Sequence, residues 1–329
     1  MLVAALVALA CTLATMPLVT RALRRLQAFD HPTPRSSHRE PTLRGGGIAP
    51  AGAMLVALVA LTAVPGPERL QLAVSAAAFG AIGLADDLRG VGVFTRLALQ
   101  GVAALVAVPV VALLDWPAWS GVVVVLWLVA FANAFNFMDG INGIACSCAI
   151  VSGAAWWVVG DAADVPLLAG GGIVAAAAAL GFAPFNVLTA RTFLGDVGSY
   201  FLGAWLALLA VVGLGEGAPP EAVLAPLALY LADTGTTLLR RVARGERWYE
   251  AHADHTYQRL VKAGWSHVAT AVTVGVLMLA TATLGMLAFS DSGAVRAAGD
   301  VGILAVTAGY LSLPALVSSR RRTSAALTG

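Results

Sequence analysis

The sequence predicts an all-α integral membrane protein with about eleven transmembrane helices. Of its 329 residues, 59% are hydrophobic and only 12% are charged, whereas an ordinary soluble domain carries roughly 25% charged residues. The mean hydropathy is +0.83, and apolar runs long enough to cross a bilayer recur along the chain. So little polar surface excludes a soluble enzyme, a disordered chain and a disulfide scaffold.

Eleven apolar segments are predicted to span the bilayer: 1–20, 47–65, 70–85, 94–114, 119–136, 141–160, 166–184, 198–215, 221–239, 267–289 and 298–317. The stretch 70–85 is short, and 166–184 is rich enough in Gly and Ala to be a packed interior helix. The first segment has no basic residue before its apolar core and is followed by Arg21, Arg24 and Arg25. That order of charge predicts a retained helix and not a cleaved signal peptide.

The distribution of basic residues predicts the orientation. With the N-terminus outside and the C-terminus inside, 18 of the 20 Lys and Arg residues fall in inner segments, and only Arg69 and Arg296 lie outside. Cytoplasmic loops carry such an excess of basic residues. The outer loops are short and no internal repeat is visible, so we expect a single membrane domain over 1–329, with its motifs within 20–265.

Dense polar clusters occur in five inner segments, at 30–38, 86–87, 133–143, 195–199 and 252–259. The topology was derived from Lys and Arg alone, yet it places all five clusters on one membrane face. We therefore expect a composite active site that faces the cytoplasm.

Two of these clusters favour carboxylate and metal chemistry. Asp86 and Asp87 end the third span, where they are either a general base or acid pair or a helix end that meets water. The segment 133–143 carries Asn133, Asn136, Asp139 and Asn142 with two glycines. Oxygen donors of this kind suit Mg²⁺, which prefers a few carboxylates together with substrate phosphates. A plain polar loop is the alternative.

The other clusters favour phosphate binding. Gly195-Asp196-Val197-Gly198-Ser199 precedes an apolar run, and backbone N–H groups at a helix N-terminus attract anions. His252 and His255 lie among arginines, which suits phosphate better than zinc, with a solvated loop as the remaining alternative. Cys11, Cys146 and Cys148 lie in or beside apolar runs and are read as small apolar residues, in preference to a redox or metal pair.

The ordered motifs resemble those of the polyprenyl-phosphate N-acetylhexosamine-1-phosphate transferases of glycosyltransferase family 4. The resemblance rests on Asp30-x-Pro32-x-x-Arg35-Ser36-Ser37-His38, Gly45-Gly46-Gly47, Asp86-Asp87, Asn136-Phe137-Met138-Asp139-Gly140, Gly195-Asp196-x-Gly198-Ser199 and a His-rich last loop. Within the family, the chain looks most similar to bacterial undecaprenyl-phosphate N-acetylglucosaminyl-1-phosphate transferases, which initiate O-antigen and related lipopolysaccharide or cell-envelope polymers.

The resemblance implies transfer of N-acetylhexosamine-1-phosphate from a UDP-sugar, by default UDP-N-acetylglucosamine, to undecaprenyl phosphate, with release of UMP. It implies Mg²⁺, which Mn²⁺ can replace, and a multi-pass protein of the bacterial inner membrane. No nucleic-acid partner is expected, and a homodimer is one option for the assembly. Direct attack by the lipid phosphate and a covalent intermediate both remain open.

The resemblance also implies roles for individual residues. Asp86 is the candidate base, with Asp87 beside it, and Asp139 orients the substrate. Asp196 and Asn136 would hold Mg²⁺. The expected substrate-binding residues are His38, Arg96, Asn133, Asn142, His252, His255 and Arg259.

Four positions depart from the family pattern. Asn142 stands where many relatives have Asp, and Arg96 stands where relatives often have Lys, which keeps the charge but changes the geometry. The last loop reads His-Ala-Asp-His in place of the more usual His-x-His-His, and Leu43 replaces a Pro before Arg44. These changes put nucleotide contacts and the roles of single residues in the last loop in question.

A membrane transporter with intramembrane carboxylates is the alternative function. Transporters place ionisable groups near the bilayer midplane, at the interface of two repeats. Here the ionisable groups gather at one face and no repeat is visible. The pattern therefore favours the transferase.

Overall fold

The protein is a bundle of helices. The structure, a computed structural model, describes residues 1–30, 41–188, 192–247, 249 and 252–328. Its α-helices are α1 (Leu2–Arg25), α2 (Ile48–Ala57), α3 (Gly66–Arg89), α4 (Val93–Leu105), α5 (Pro109–Leu113), α6 (Ser120–Met138), α7 (Ile144–Ala162), α8 (Pro166–Ala183), α9 (Gly195–Gly215), α10 (Pro220–Leu224), α11 (Ala228–Ala243), α12 (Thr256–Lys262), α13 (His267–Gly285) and α14 (Gly293–Thr328).

Nine helical segments in the described part of the chain are long and apolar enough to cross a membrane. They are Leu2–Arg25, Gly66–Arg89, Ser120–Met138, Ile144–Ala162, Pro166–Leu188, Gly195–Gly215, Pro220–Ala243, His267–Phe289 and Gly293–Ser318. This confirms an all-α polytopic membrane protein. The stretch that looked short, 70–85, lies inside the 24-residue helix α3, which gains an N-terminal turn from Pro67 and ends at Gly90 with φ of 65°.

The two remaining predicted spans form shorter helices. The predicted span 47–65 contains the apolar helix Ile48–Ala60, whose last turn is 3₁₀. The prediction of one continuous helix over 94–114 is wrong, because α4 ends at Leu105 and α5 begins only at Pro109. Proline has no N–H to donate and its ring clashes with the preceding turn, so the hydrogen-bonding pattern of α4 cannot continue through it.

Helix α9 is the centre of the bundle. Nearly all of its residues are buried, and it packs against α2, α3, α6 and α8. The Trp205 indole N–H donates to the Gly171 carbonyl at 3.0 Å and joins α9 to α8. Most of α8 is buried as well, which confirms the prediction that 166–184 is a packed interior helix.

A small backbone network fixes the start of α9. Strand β1 (Phe29–Asp30) pairs antiparallel with strand β2 (Thr42–Leu43), and the Phe193 N–H donates to the Leu43 carbonyl at 2.7 Å. The N–H groups of Gly46 and Gly47 donate to the carbonyls of Phe193 and Leu194 at 2.9 and 2.7 Å. The segment before α2 therefore holds the segment before α9 in place.

Helices α3 and α9 touch at Gly83. A Cβ atom at Gly83 would collide with the backbone of Asp196 and Val197, and backbone atoms cannot move aside as a flexible side chain can. Glycine is therefore required where α3 passes the start of α9. The contact sets the distance between the carboxylates at the end of α3 and Asp196.

We expect Gly83→Ala to destabilise the protein by about 1–3 kcal/mol, the usual cost of overpacking a tight contact. Gly101→Ala in α4 is the matched control, because a Cβ there meets open space and alanine favours a helix over glycine. The unfolding temperature of the two detergent-purified variants, followed by tryptophan fluorescence, checks this. Equal unfolding temperatures would contradict the close approach.

Candidate active site

The polar ends of four helices meet at one end of the bundle. Asp86 and Asp87 lie in the last turn of α3, Arg96 in the first turns of α4, Asn136 in the last turn of α6 and Asp196 in the first turn of α9. Arg69 lies at the other end of α3, and Arg296 lines a cavity with Pro219, just beyond the other end of α9. The two basic residues predicted to be outside thus lie opposite the polar cluster.

Arg44 links the carboxylates of two helices. Its Nε lies 2.6 Å from an Asp87 carboxylate oxygen, and one of its terminal nitrogens lies 2.6 Å from Asp196. Burial by itself would lower the pKa of Arg44, but Asp196 and Asp87 hold the pKa above its ordinary value. Arg44 is therefore a permanent cation that offsets two closely placed anions.

Asp87 caps helix α9. Its two oxygens accept hydrogen bonds from the backbone N–H groups of Asp196 and Val197 at 3.0 and 2.9 Å, and its side chain is only 6% exposed. A carboxylate at a helix N-terminus satisfies free N–H groups and interacts favourably with the helix dipole. Both oxygens of Asp87 are thus engaged in placing Asp196.

Asp86 holds Arg96. One Asp86 oxygen accepts from the Val91 N–H at 2.7 Å, and the other lies 2.5 Å from a terminal nitrogen of Arg96. The Arg96 guanidinium lies 5.9 Å from the centre of the Tyr200 ring, a cation–π distance. Arg96, at the position that departs from the family pattern, therefore lies inside the cluster.

The amide of Asn136 donates to Asp196 at 2.9 Å and to the Ser199 hydroxyl at 2.8 Å. The two residues predicted to hold a metal, Asn136 and Asp196, are therefore in direct contact. Asn133 lies one turn earlier in α6, is buried, and donates to the Gln100 side chain at 2.6 Å. Its amide nitrogen is committed inside the protein, on the side of α4.

Asp139 follows α6, in a loop that is fixed at both ends. Burial raises the pKa of Asp139, and the negative charges of Asp196 and Asp87 raise it further. The Tyr257 hydroxyl donates to the Phe137 carbonyl at 2.9 Å, and the Gly143 N–H donates to Asn186 at 2.7 Å. The loop thus joins the carboxylate cluster to the segment around α12.

Asn142 and the last loop provide further polar groups. The side-chain amide oxygen of Asn142 is buried without a hydrogen-bond partner among the described residues. The rings of His252 and His255 lie 4.8 Å apart, and each faces the ring of Phe137 at 6.3 and 6.2 Å. Asp254, where the resemblance implied a histidine, pairs with Arg241 at 3.2 Å. Arg259 is half-buried in the first turn of α12.

Acidic pH should destabilise the protein through His252. Burial, together with the positive charges of His255 and Arg241, lowers the pKa of His252 to about 4. An unfolded histidine titrates near 6.5, so protonation favours the unfolded chain between these values. The stabilisation is complete above about pH 6.5 and is lost as pH falls towards 4. The unfolding temperature of His252→Gln should therefore fall less between about pH 6.5 and 4 than that of the parent protein. Equal decreases in the two proteins would contradict a role for His252 in this pH dependence.

The structure brings most of the predicted site together. Asp87, Asn136 and Asp196 form one network with Arg44, and the Asp86–Arg96 pair lies beside it at the end of α3. The 137–140 segment joins the network to His252 and His255. His38 lies outside the described residues. Which of these residues react or bind substrate stays a prediction.

Sequence reasoning missed three residues of this region: Arg44, Tyr257 and Asp233, whose carboxylate lies 3.5 Å from the His255 ring. Asp233 could have been detected from the sequence, because it lies inside the apolar stretch 221–239. A carboxylate in a membrane segment costs free energy, so its presence there indicates a functional residue. Arg44 and Tyr257 gave no such signal, since their roles depend on partners far away in the chain.

The donor set fits a magnesium ion. Mg²⁺ is usually held by one or two carboxylates, with water and substrate phosphates completing the shell. Asp196 and Asp87 already face a cation, the Arg44 guanidinium, so this is a place where positive charge is stabilised. Among the described residues no group of three or more His, Cys, Asp or Glu side chains is arranged to hold a metal. A magnesium site that substrate phosphates complete does not require such a group.

Comparisons with known proteins show which family the chain is similar to. The sequence profile described as glycosyl transferase family 4 matches residues 70–214, which carry Asp86, Asn136 and Asp196. A Bacillus subtilis (strain 168) protein named "Probable undecaprenyl-phosphate N-acetylglucosaminyl 1-phosphate transferase" is 28% identical over 286 residues, 80% of this chain and 78% of its own.

Two further relatives are more than 30% identical. The decaprenyl-phosphate N-acetylglucosaminephosphotransferase of Mycobacterium tuberculosis (strain CDC 1551 / Oshkosh) is 31% identical over 291 residues, 74% of this chain and 71% of its own. The phospho-N-acetylmuramoyl-pentapeptide-transferase of Synechococcus sp. (strain CC9605) is 32% identical over 240 residues, 63% of this chain and 68% of its own. The chain therefore belongs to glycosyl transferase family 4, with the polyprenyl-phosphate hexosamine-1-phosphate transferases.

Proposed function

We propose that the protein transfers N-acetylhexosamine-1-phosphate from a UDP-sugar to undecaprenyl phosphate. A phosphate oxygen of the lipid forms a new P–O bond to the sugar-bearing phosphorus, and the bond between the two donor phosphates breaks. The products are undecaprenyl-diphosphate-sugar and UMP. The relatives' names support this reaction class. The two reported relatives that cover 80% and 74% of the chain are named for N-acetylglucosamine, so UDP-N-acetylglucosamine is the proposed donor.

The observation that carries the proposal is the pairing of Asp86, Asp87 and Asp196 with Arg44 and Arg96 at the ends of apolar helices. Both substrates are anionic, and repulsion must be offset before they can react. The arginines supply positive charge, and the carboxylates supply ligands for a cation. The site at the helix ends suits one lipid substrate and one water-soluble substrate.

Each residue of the cluster has a proposed part in the reaction. Asp196 and Asn136 would hold Mg²⁺, which when bound neutralises charge on the donor diphosphate. Asp87 fixes Asp196 through the start of α9, and Asp86 is the proposed base that prepares the lipid phosphate.

The loops around the cluster would bind the donor. Asp139 orients it. Arg96, Asn142, His252, His255 and Arg259 would contact its phosphates, sugar or nucleotide, as would His38. Asn133 would act through the position of α6, since its amide nitrogen already bonds to Gln100.

We further propose eleven membrane crossings, with the two shorter apolar helices Ile48–Ala60 and Val93–Leu105 completing the nine longer ones. The excess of basic residues at the site's end of the bundle favours a cytoplasmic site in the bacterial inner membrane. The product would then initiate an envelope polysaccharide such as O-antigen. A homodimer is compatible with these roles.

Nucleotide release tests the proposed reaction. Detergent-purified protein is mixed with Mg²⁺, a panel of UDP-N-acetyl sugars and undecaprenyl phosphate, and the released nucleotides are separated by chromatography. We expect UMP, only when the lipid is present, and most rapidly with UDP-N-acetylglucosamine. Release of UDP would indicate ordinary glycosyl transfer, and no release from folded protein with any sugar would favour the transporter.

Metal removal is a separate prediction. Excess EDTA should reduce UMP release at least about 100-fold, because charge neutralisation at the diphosphate contributes several kcal/mol to transfer. Added Mg²⁺ or Mn²⁺ should restore it, whereas the EDTA–Mg²⁺ complex alone serves as the control for inhibition by the chelator. Full turnover in excess EDTA would overturn the metal assignment.

A further inference from the structure

Asp233 is a fully buried carboxylate that the proposed reaction does not use. It lies in α11 with no exposed surface. The Thr256 N–H donates to its two oxygens at 2.8 and 3.0 Å, and the Tyr310 hydroxyl donates to Oδ2 at 2.7 Å. A buried charge is retained only when such partners compensate its cost. Asp233 thereby joins α11, the start of α12 and α14.

The Thr237 hydroxyl donates to Asp233 Oδ1 at 3.3 Å. The fourth group that faces Asp233 is the imidazole of His255. Its Nδ1 lies 3.5 Å from Asp233 Oδ1, and the side chain is 3% exposed. This distance is beyond hydrogen-bond length, and Nδ1 is buried without a hydrogen-bond partner among the described residues, so the Asp233 carboxylate is the acceptor beside an otherwise unpartnered nitrogen. The ring is held between Phe137 and Tyr257, at centroid distances of 6.2 and 5.9 Å. The ring therefore has little freedom to turn, and its Nδ1 edge is directed to a carboxylate.

An imidazole carries its proton on the nitrogen that faces an acceptor. The other nitrogen, Nε2, then has a free lone pair and accepts hydrogen bonds. In His255 this second nitrogen lies on the edge of the ring away from Asp233. The position of the proton therefore decides whether Nε2 accepts or donates a hydrogen bond to the group that it contacts.

We propose that Asp233 is a positioning residue, which holds His255 as the Nδ1–H tautomer so that Nε2 accepts a hydrogen bond from the donor sugar. A hydroxyl or acetamido N–H of an N-acetylhexosamine can donate such a bond, whereas an ionised phosphate oxygen cannot. The assignment of the sugar rests on the proposed function. The proposed tautomer does not, because it is argued from the placement of His255 Nδ1 beside the Asp233 carboxylate.

Two variants separate this role from a purely structural one. In Asp233→Asn, one oxygen still accepts from Thr256 and Tyr310, so the new NH₂ group faces His255 Nδ1 and favours the opposite tautomer. Tyr310→Phe is the matched control, because it removes a hydrogen bond to Oδ2 of the same carboxylate and leaves the His255 side untouched.

The tautomer is read from ¹⁵N chemical shifts of protein labelled with ¹⁵N-histidine in detergent micelles, with the His255 signals assigned by their loss in His255→Gln. We expect Nδ1–H in the parent and in Tyr310→Phe, and Nε2–H in Asp233→Asn. Asp233→Asn should lower kcat/KM by about 10–100-fold, as loss of orienting partners does elsewhere. Tyr310→Phe should stay within about threefold, the effect of one net hydrogen bond.

An Nε2–H tautomer in the parent protein would overturn the proposal, even if Asp233→Asn does not fold. An unchanged tautomer or unchanged kcat/KM in folded Asp233→Asn would overturn it too. If the parent has the Nδ1–H tautomer but releases no UMP with any donor, the proposed function fails while the positioning of His255 by Asp233 stands.

Discussion

Asp196→Asn is expected to slow turnover at least about 100-fold, the loss typical of a site's main charged group. The amide has nearly the shape of the carboxylate, so α9 and its Asp87 cap should persist. It removes the charge that pairs with Arg44 at 2.6 Å and turns an NH₂ group towards Arg44 or Asn136, which are donors themselves. The site then loses both its proposed metal ligand and the partner of its cation.

The UMP assay and the unfolding temperature, measured together, check this prediction. Asp161→Asn is the control, because Asp161 is an exposed carboxylate at the C-terminal end of α7, the end away from the site. It should keep parental turnover. Asp196→Asn protein that folds and retains turnover within about threefold of the parent would remove Asp196 from the reaction.

Asp86→Asn is expected to have the second-largest effect, again at least about 100-fold on turnover. Both Asp86 oxygens accept, one from Val91 and one from Arg96, and an amide can satisfy only one of these donors. Arg96 then lacks its counterion, and the proposed base is lost. Loss of one partner of a mostly buried pair is costly because the other charge is left uncompensated.

Arg96→Lys separates the two consequences. It keeps a positive charge beside Asp86, so turnover should stay within about tenfold of the parent, while Asp86→Asn should be nearly inactive. If Arg96→Lys were as inactive as Asp86→Asn, Asp86 would act through the geometry of Arg96. Parental turnover of Asp86→Asn would exclude both roles.

The helices were predictable because hydropathy is a local property of the sequence. Long apolar runs with few charges gave the nine longer helices, and the small residues of 166–184 indicated that α8 is interior. The break between α4 and α5 was also local, since Pro109 stood inside the predicted span. Hydropathy averages over such a break and does not register it.

The site was predictable as a set of clusters, but not as a set of contacts. Basic-residue counts placed the clusters at one end of the bundle, and the structure has the Asp86–Arg96 pair and the Asn136–Asp196 contact there. Asp87 as the cap of α9 could not be anticipated, because Asp87 and Val197 are 110 residues apart. The same holds for Asp233 and Tyr310, which are separated by 77 residues.

The fate of the donor's phosphorus tests the central claim most directly. Purified protein receives undecaprenyl phosphate and UDP-N-acetylglucosamine labelled with ³²P in the phosphate next to the sugar, and lipid and water phases are then separated. We expect the label in the lipid phase, dependent on the lipid and nearly absent with Asp196→Asn. Label that stays in water as UDP, while the sugar enters the lipid, would contradict phosphosugar transfer.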